Sequence, residues 1–220
     1  MYNILELTAR LPAPPAASAA RQRLFFSIYY RVADHAFKRA AATWKAAIGK
    51  QFAFDPINDI YLEQEVVTET QFKAAWDTIA VYALDHNCEV WAGHLLTHAS
   101  KDTNDDGLEF KKDDGDDGTL KRHEIMALPI LPWSKYGALI LGGCNTGLSG
   151  KRGWTPAQVF AQQQRIITLG QTGYAYFSNA WNDYSESSPS DTSICLWAYA
   201  RGKNGKLGNG NRLPGSIFLP

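Results

Sequence analysis

Apolar and polar positions alternate along this chain in two rhythms. Short apolar runs fall at residues 24–30, 60–67, 88–98 and 138–141, each closed by polar or turn-forming residues. Runs this short, bounded by turn signals, predict buried β-strands. Between them the spacing becomes helical. Residues 33–48, rich in Ala, Lys and Arg, predict a helix with Gly49 as its C-cap. Residues 68–85 open with the capping signal Thr68-Glu-Thr-Gln71 and set Phe72, Ala75, Trp76, Ile79, Ala80 and Ala83 on one face. Residues 121–128 predict a short helix stopped by Pro129 and Pro132. Thr155-Pro156 opens another, expected to run to about Leu169 with Val159, Phe160, Ile166 and Ile167 as its stripe. Residues 173–179 then read as a strand and 192–200 as a last helix. The Gly/Asn/Lys-rich tail from Arg201 reads as a loop with room for a short strand. Strands alternating with helices predict βαβ units, hence an α/β domain with a mainly parallel sheet flanked by helices on both faces.

The candidate chemistry gathers at two strand ends. The run Ala138 to Leu141 breaks into Gly142-Gly143, places the thiol of Cys144, and turns on Asn145-Thr146-Gly147. The carboxyl end of a central parallel strand is where open α/β sheets hold their ligands. A buried, inert Cys144 is the competing reading, since free cysteine is among the most buried residues. Upstream, Trp91-Ala-Gly-His94-Leu-Leu-Thr-His98 is an apolar run ending in histidine, 46 residues before Cys144. A histidine beside a cysteine is a minimal nucleophile–base pair, and a spacing of roughly 50 residues is the caspase one. Between them, residues 101–118 hold seven Asp, one Asn and three Gly. Asp-Gly turns make this an acidic hairpin around a short strand at 108–110. The same residues offer a calcium alternative: Asp102, Asn104, Asp106, Gly107 and Asp113 fall on EF-hand loop positions, and a second register runs through Asp113, Asp117, Gly118 and Glu124.

Four motifs in order resemble the CHAT branch of the caspase-like (clan CD) cysteine peptidases, relatives of caspases, metacaspases and separase. They are His94-Leu-Leu-Thr-His98-Ala99, Thr119-Leu-Lys-Arg-His-Glu124-Ile125, Gly143-Cys144-Asn145-Thr146-Gly147, and Gly173-Tyr-Ala-Tyr-Phe-Ser-Asn-Ala-Trp181, spread over roughly residues 88–200. Two positions depart from the family, where Gly usually follows the second histidine and Ala usually precedes the cysteine; here they are Ala99 and Gly143. The resemblance implies a caspase-like fold and a cysteine endopeptidase acting on protein or peptide substrates. Cys144 would be the nucleophile and His98 the general acid/base, with the backbone N–H groups of Ala99 and Cys144 as the oxyanion hole. Gly143, Trp181 and Asp183 would line the substrate site, with Glu186 and Asp191 nearby and cleavage after a basic residue, Arg before Lys, expected from Asp183; an apolar pocket shaped by Trp181, with cleavage after Leu or Met, is the alternative. His94 would support the strand. No cofactor is required, with calcium the one candidate. A pseudo-protease acting as a binding module and a calcium-responsive module are the alternatives. A delivered toxin or a defence effector, with an immunity or regulatory protein as partner, would suit such a bare protease domain.

Composition narrows the setting. Lys+Arg and Asp+Glu each number 22, so no basic footprint for nucleic acid exists. No apolar run reaches the roughly 18 residues of a membrane span, and no secretory-signal pattern opens the chain. Three cysteines, at 88, 144 and 195, suggest free thiols and a reducing compartment, either the cytoplasm or a target cell reached without a cleavable signal. Residues 1–22, with Leu11-Pro-Ala-Pro-Pro, read as a flexible leader, and 23–220 as one domain.

Overall fold

The first apolar run becomes β1 (Gln22–Tyr30), and the rest of the main sheet is laid down around it. A computed structural model describes residues 21–31, 36–99, 107–149, 153–172, 174–178, 195–201, 207–212 and 215–220. From β1 the chain passes through α1 (Ala36–Gln51) to the edge strand β2 (Asp59–Val66). It returns through α2 (Glu69–Asp85) to β3 (Cys88–Leu96) on the other side of β1. A small antiparallel sheet follows: β4 (His98–Ala99), β5 (Leu108–Glu109) and β6 (Thr119–Leu120). Then come α3 (Arg122–Ala127), β7 (Trp133–Leu141), α4 (Pro156–Gln164) and β8 (Ile167–Gln171). A second small sheet is built from β9 (Tyr174–Ser178), β10 (Cys195–Arg201) and β11 (Leu207–Arg212), and β12 (Gly215–Phe218) returns to the main sheet. The main sheet reads β12-β8-β7-β3-β1-β2, parallel throughout except for β12.

Both faces of this sheet are covered. On one, Leu24, Phe26 and Ile28 pack with Phe72, Trp76 and Ile79 of α2 and Phe160 of α4. On the other, Phe25, Trp91, Ala138, Ile140 and Leu169 pack with Trp44 and Ile48 of α1, and Ala175 of β9 packs against them. Trp76 anchors the first layer. Its ring meets Phe26 edge-on at 5.9 Å, lies 5.6 Å from Phe160, and donates its N–H to Pro129 O at 2.9 Å. Truncating such a residue costs about 3–5 kcal/mol. The Thr68 signal forms the full capping box with Gln71, and Thr155 caps α4 by accepting from Gln158 N.

Four expectations are corrected. Helix α1 runs through Gly49 to Gln51, with Phe52 N still donating to Ile48 O at 2.9 Å, and the chain turns instead at Ala53 (φ 46°). Helix α4 stops at Gln164, where Arg165 takes the left-handed conformation (φ 54°), and Ile167 begins a strand. The β-branched run Ile166-Ile167-Thr168 favours extended backbone over further helix. The last helix, expected at 192–200, is strand β10, rich in apolar and aromatic residues and paired residue for residue with β9 from Cys195↔Ser178 to Tyr199↔Tyr174. Strand β3 ends at Leu96; Thr97 breaks it, and His98 begins β4 in the small sheet.

Candidate functional site

The strand carrying Cys144 and the strand preceding His98 are neighbours in the sheet. Strands β3 and β7 run parallel with Leu95 opposite Leu141. The pairing outlasts the strands, because Gly142 N donates to Leu95 O at 2.8 Å. One residue later the two chains touch: a side chain at Gly143 would sit 2.2 Å from Thr97 O. Only glycine tolerates that approach to backbone. The next residues on the two chains are Cys144 and His98. Any side chain at position 143, even a methyl group, therefore has no room here. Ala99 is buried and pairs with Leu108 across the small sheet.

A tight loop fixes the thiol. Asn145 adopts the left-handed conformation (φ 54°), and its carbonyl accepts from Leu148 N. Fully buried Thr146 accepts from Gln171 N at 3.0 Å and donates its hydroxyl to Leu141 O and Gly143 O at 3.1 and 3.2 Å. Gly147 N donates to Gln171 O at 2.7 Å, and Ala157 N at the start of α4 donates to Thr146 O. Gly147 lies so close to Gly170 that a Cβ on either would be 2.8 Å from the other's backbone. The half-buried Cys144 Sγ receives the N–H of Ala175 at 3.2 Å from β9. The same thiol faces Ala175 O, to which it donates at 3.7 Å. Cys88 is a contrast: it is buried, burial pushes its thiol pKa up, and its S–H points at His86 O. Cys195 lies in β10.

His98 is exposed, and aromatic rings from two elements lie against it. Phe37 of α1 lies 5.0 Å from it and Tyr30, at the end of β1, 5.7 Å edge-on; Tyr30 in turn meets Phe110 at 6.1 Å. Thr97 Oγ1 donates to the His98 carbonyl at 3.0 Å. The chain leaves β1 for β2 on one side and returns to β3 on the other, so the carboxyl ends of β1 and β3 flank the topological switch point, the usual ligand crevice of such sheets. Tyr30 and His98 stand there. His94 shares a sheet face with Leu96 and is fully buried 4.7 Å from Trp44, and burial pushes its pKa down to about 3, so the ring is neutral.

Trp181, Asp183, Glu186 and Asp191 lie outside the described residues, as do Asp102, Asn104 and Asp106 of the first calcium register. The described part of the acidic stretch is engaged with protein donors. Asp116 accepts from Thr70 N and Oγ1 at 3.1 and 2.8 Å, Asp117 pairs with Lys121, and Glu124 pairs with Lys73 at 2.6 Å. Among the described residues no group of three or more His, Cys, Asp or Glu could hold a metal ion, and no helix is long and apolar enough to cross a membrane.

Two site residues were not anticipated. Asn145 and Gln171 are buried amides at 5% and 1% exposure; Asn145 Nδ2 and both polar atoms of the Gln171 side chain have no hydrogen-bond partner. A sequence signal for Gln171 did exist. Leu169-Gly170-Gln171-Thr172-Gly173 repeats, in shorter form, the Leu141-Gly142…Thr146-Gly147 strand end, but extending α4 to Leu169 concealed it. No family model, curated protein or solved structure matches the chain.

Proposed function

We propose that the chain is a caspase-like cysteine endopeptidase of the CHAT type, with Cys144 as nucleophile and His98 as general acid/base. One observation carries this reading: the contact between Gly143 and Thr97 O holds two strand ends in step, so that the next residues are a thiol and an imidazole. The Ala175 N–H on Sγ favours the anion that attacks. In the proposed reaction the Cys144 thiolate adds to the scissile carbonyl carbon. The oxyanion is taken by the backbone N–H groups of Cys144 and Ala99, as the resemblance implies. His98 gives its proton to the departing amine as the C–N bond breaks. It then takes one from the water that attacks the thioester, and the thiolate returns. Free thiols at Cys88 and Cys144 suit a reducing compartment.

The test is labelling by a peptidyl probe that alkylates an active-site cysteine. Wild type should be labelled at Cys144 ahead of Cys88 and Cys195. Cys144→Ala should abolish labelling, and His98→Ala should slow it by about 100-fold or more, in the range of a lost general base. Labelling at an undiminished rate in His98→Ala would reduce Cys144 to an accessible thiol and favour a binding module instead.

A further inference from the structure

The carboxyl edge presents three adjacent strand ends in a row: His98 after β3, Cys144 after β7 and Gln171 at the end of β8. The first two are assigned above; Gln171 is not. Its backbone is clamped to the Cys144 loop twice, N to Thr146 Oγ1 and O from Gly147 N. Alternation along β8 puts Gln171 on the sheet face of Ile167 and Leu169, the face on which Ala175 of β9 packs and donates to Cys144 Sγ. The side chain is 1% exposed with Nε2 and Oε1 both unpaired, and Asn145 Nδ2, next to the nucleophile, is unpaired too. Each buried polar group without a partner costs about 1–3 kcal/mol. A native protein retains such a cost where function requires it or where an internal water relieves it.

We propose that Gln171, assisted by Asn145, is the specificity-determining residue of the peptidase site and reads a carboxamide, the side chain of Gln or Asn, at the substrate residue preceding the cut bond. The inference rests on the peptidase reading above. Chemistry selects the class. The described segments around Gln171, residues 138–149, 166–172, 174–178 and 215–220, contain no Lys, Arg, Asp or Glu. Those described segments offer no counter-ion to a charged substrate side chain buried among them, which is unfavourable. An aliphatic one would leave the amides unpaired. A carboxamide offers one acceptor and two donors, and meets the Gln171 oxygen and nitrogen in two antiparallel bonds. Because both protein amides are already shut away from water in the free chain, pairing costs no further desolvation on the protein side. Gln171 is 1% exposed in the free chain, so a substrate side chain reaches it only once its neighbours move aside.

The test uses fluorogenic peptides identical except for the residue preceding the cut bond: Gln, Asn, Leu, Met, Glu or Arg. Wild type should cleave after Gln or Asn at least about 10-fold faster in kcat/KM than after Leu or Met. Gln171→Leu should abolish that ratio, by loss of the Gln-specific rate, while Tm holds or rises, because an unpaired amide has been removed. A wild-type preference for Arg or Leu, an unchanged ratio in Gln171→Leu, or a lower Tm in that variant would each overturn the proposal. The last would identify an internal water as the true partner. These failures leave Cys144 labelling in wild type intact; absence of that labelling would remove the peptidase reading and this inference together.

Discussion

Gln164 and Gln171 are the same side chain at the same 1% exposure, one closing α4 and the other ending β8. Gln164 is fully used. Its Oε1 accepts from Leu131 N at 3.0 Å and Trp133 Nε1 at 3.1 Å, and its Nε2 donates to Pro129 O at 3.1 Å, tying α4 to the start of β7. Gln171 makes no side-chain hydrogen bond at all. The difference separates scaffold from site. A satisfied buried amide specifies how two elements dock; on the proposal above, the unsatisfied one at the strand end is held ready for a substrate.

The comparison breaks most visibly at Gln164. In Gln164→Leu, Pro129 O keeps the Trp76 indole N–H, but Leu131 N and the Trp133 indole lose their acceptor. Two stranded donors cost about 3 kcal/mol together, or about 10 °C in Tm for a domain of this size. Calorimetry should show that fall, while the Gln/Leu peptide ratio stays as in wild type. A Tm within a degree or two of wild type would dissolve the contrast with Gln171. Gly143→Ala should act the opposite way. Forcing a methyl against Thr97 O costs about 1–3 kcal/mol of stability, yet parting the two strand ends by an ångström lowers turnover by about 100-fold. A variant with full turnover would mean that the contact does not align His98 with Cys144.

Much of the scaffold was legible because it rests on local signals. The Thr68 and Thr155 caps and the alternating buried positions of 72–83 follow from short-range chemistry, and they appear as read. The parallel sheet followed from the alternation of elements. What misled was competition between periodicities. Ile166 and Ile167 fit a helical stripe as well as a strand, and only the pairing of Ile167 with Ala138 and of Thr168 with Leu139 of β7 decides for the strand. Residues 195–199 were decided likewise by β9. At the site, Cys144 and His98 were legible as types at strand ends, but their adjacency depends on β3 and β7 being neighbours. The rings around His98 come from residues 30 and 37, far away in sequence, and no local pattern marks Gln171 as unpaired.

A third buried group, intermediate between the two glutamines, gives a smaller effect with a definite pH sign. Glu69 is 1% exposed and shares Lys73 with Glu124, at 2.5 and 2.6 Å. Burial, then its hydrogen bond with Glu124, raises the Glu69 pKa to about 7. Burial pushes Glu124 up as well, but hydrogen bonds from Glu69, Lys73 and Lys121 N outweigh it and leave Glu124 at about 2. A folded pKa above the unfolded one gives stability that is complete below about 4.5 and lost as pH rises through about 7. Wild-type Tm should therefore decline from pH 5 to pH 8 by more than that of Glu69→Gln. Parallel curves for the two proteins would show that Glu69 titrates normally. Glu124 contributes no slope in that window, since its own stabilisation is lost only as pH falls towards 2.

His94 sharpens the comparison most finely, because it is unpaired but not at the site. Both ring nitrogens lack partners, as does the Trp44 indole N–H beside it, yet it sits within β3 opposite Ser27, whose hydroxyl is bonded to Tyr61. If an unpaired buried group implied function wherever it occurred, His94→Phe would reduce turnover. If position decides, turnover and the Gln/Leu ratio stay at wild-type values, since the ring contact with Trp44 is kept and no strand end moves. The pH dependence isolates the imidazole. Its pKa is depressed to about 3 by burial, below the ordinary 6.5. The unfolded chain therefore takes up a proton that the folded chain refuses, and stability present above about 6.5 is lost as pH falls towards 3. Phenylalanine removes that loss. At pH 7 the two proteins should melt within about 3 °C of each other, as for a volume-conserving core swap, and at pH 5 the variant should gain relative to wild type. A turnover defect in His94→Phe with its Tm intact would mean that lack of a hydrogen-bond partner alone, rather than place on the carboxyl edge, marks the functional groups of this chain.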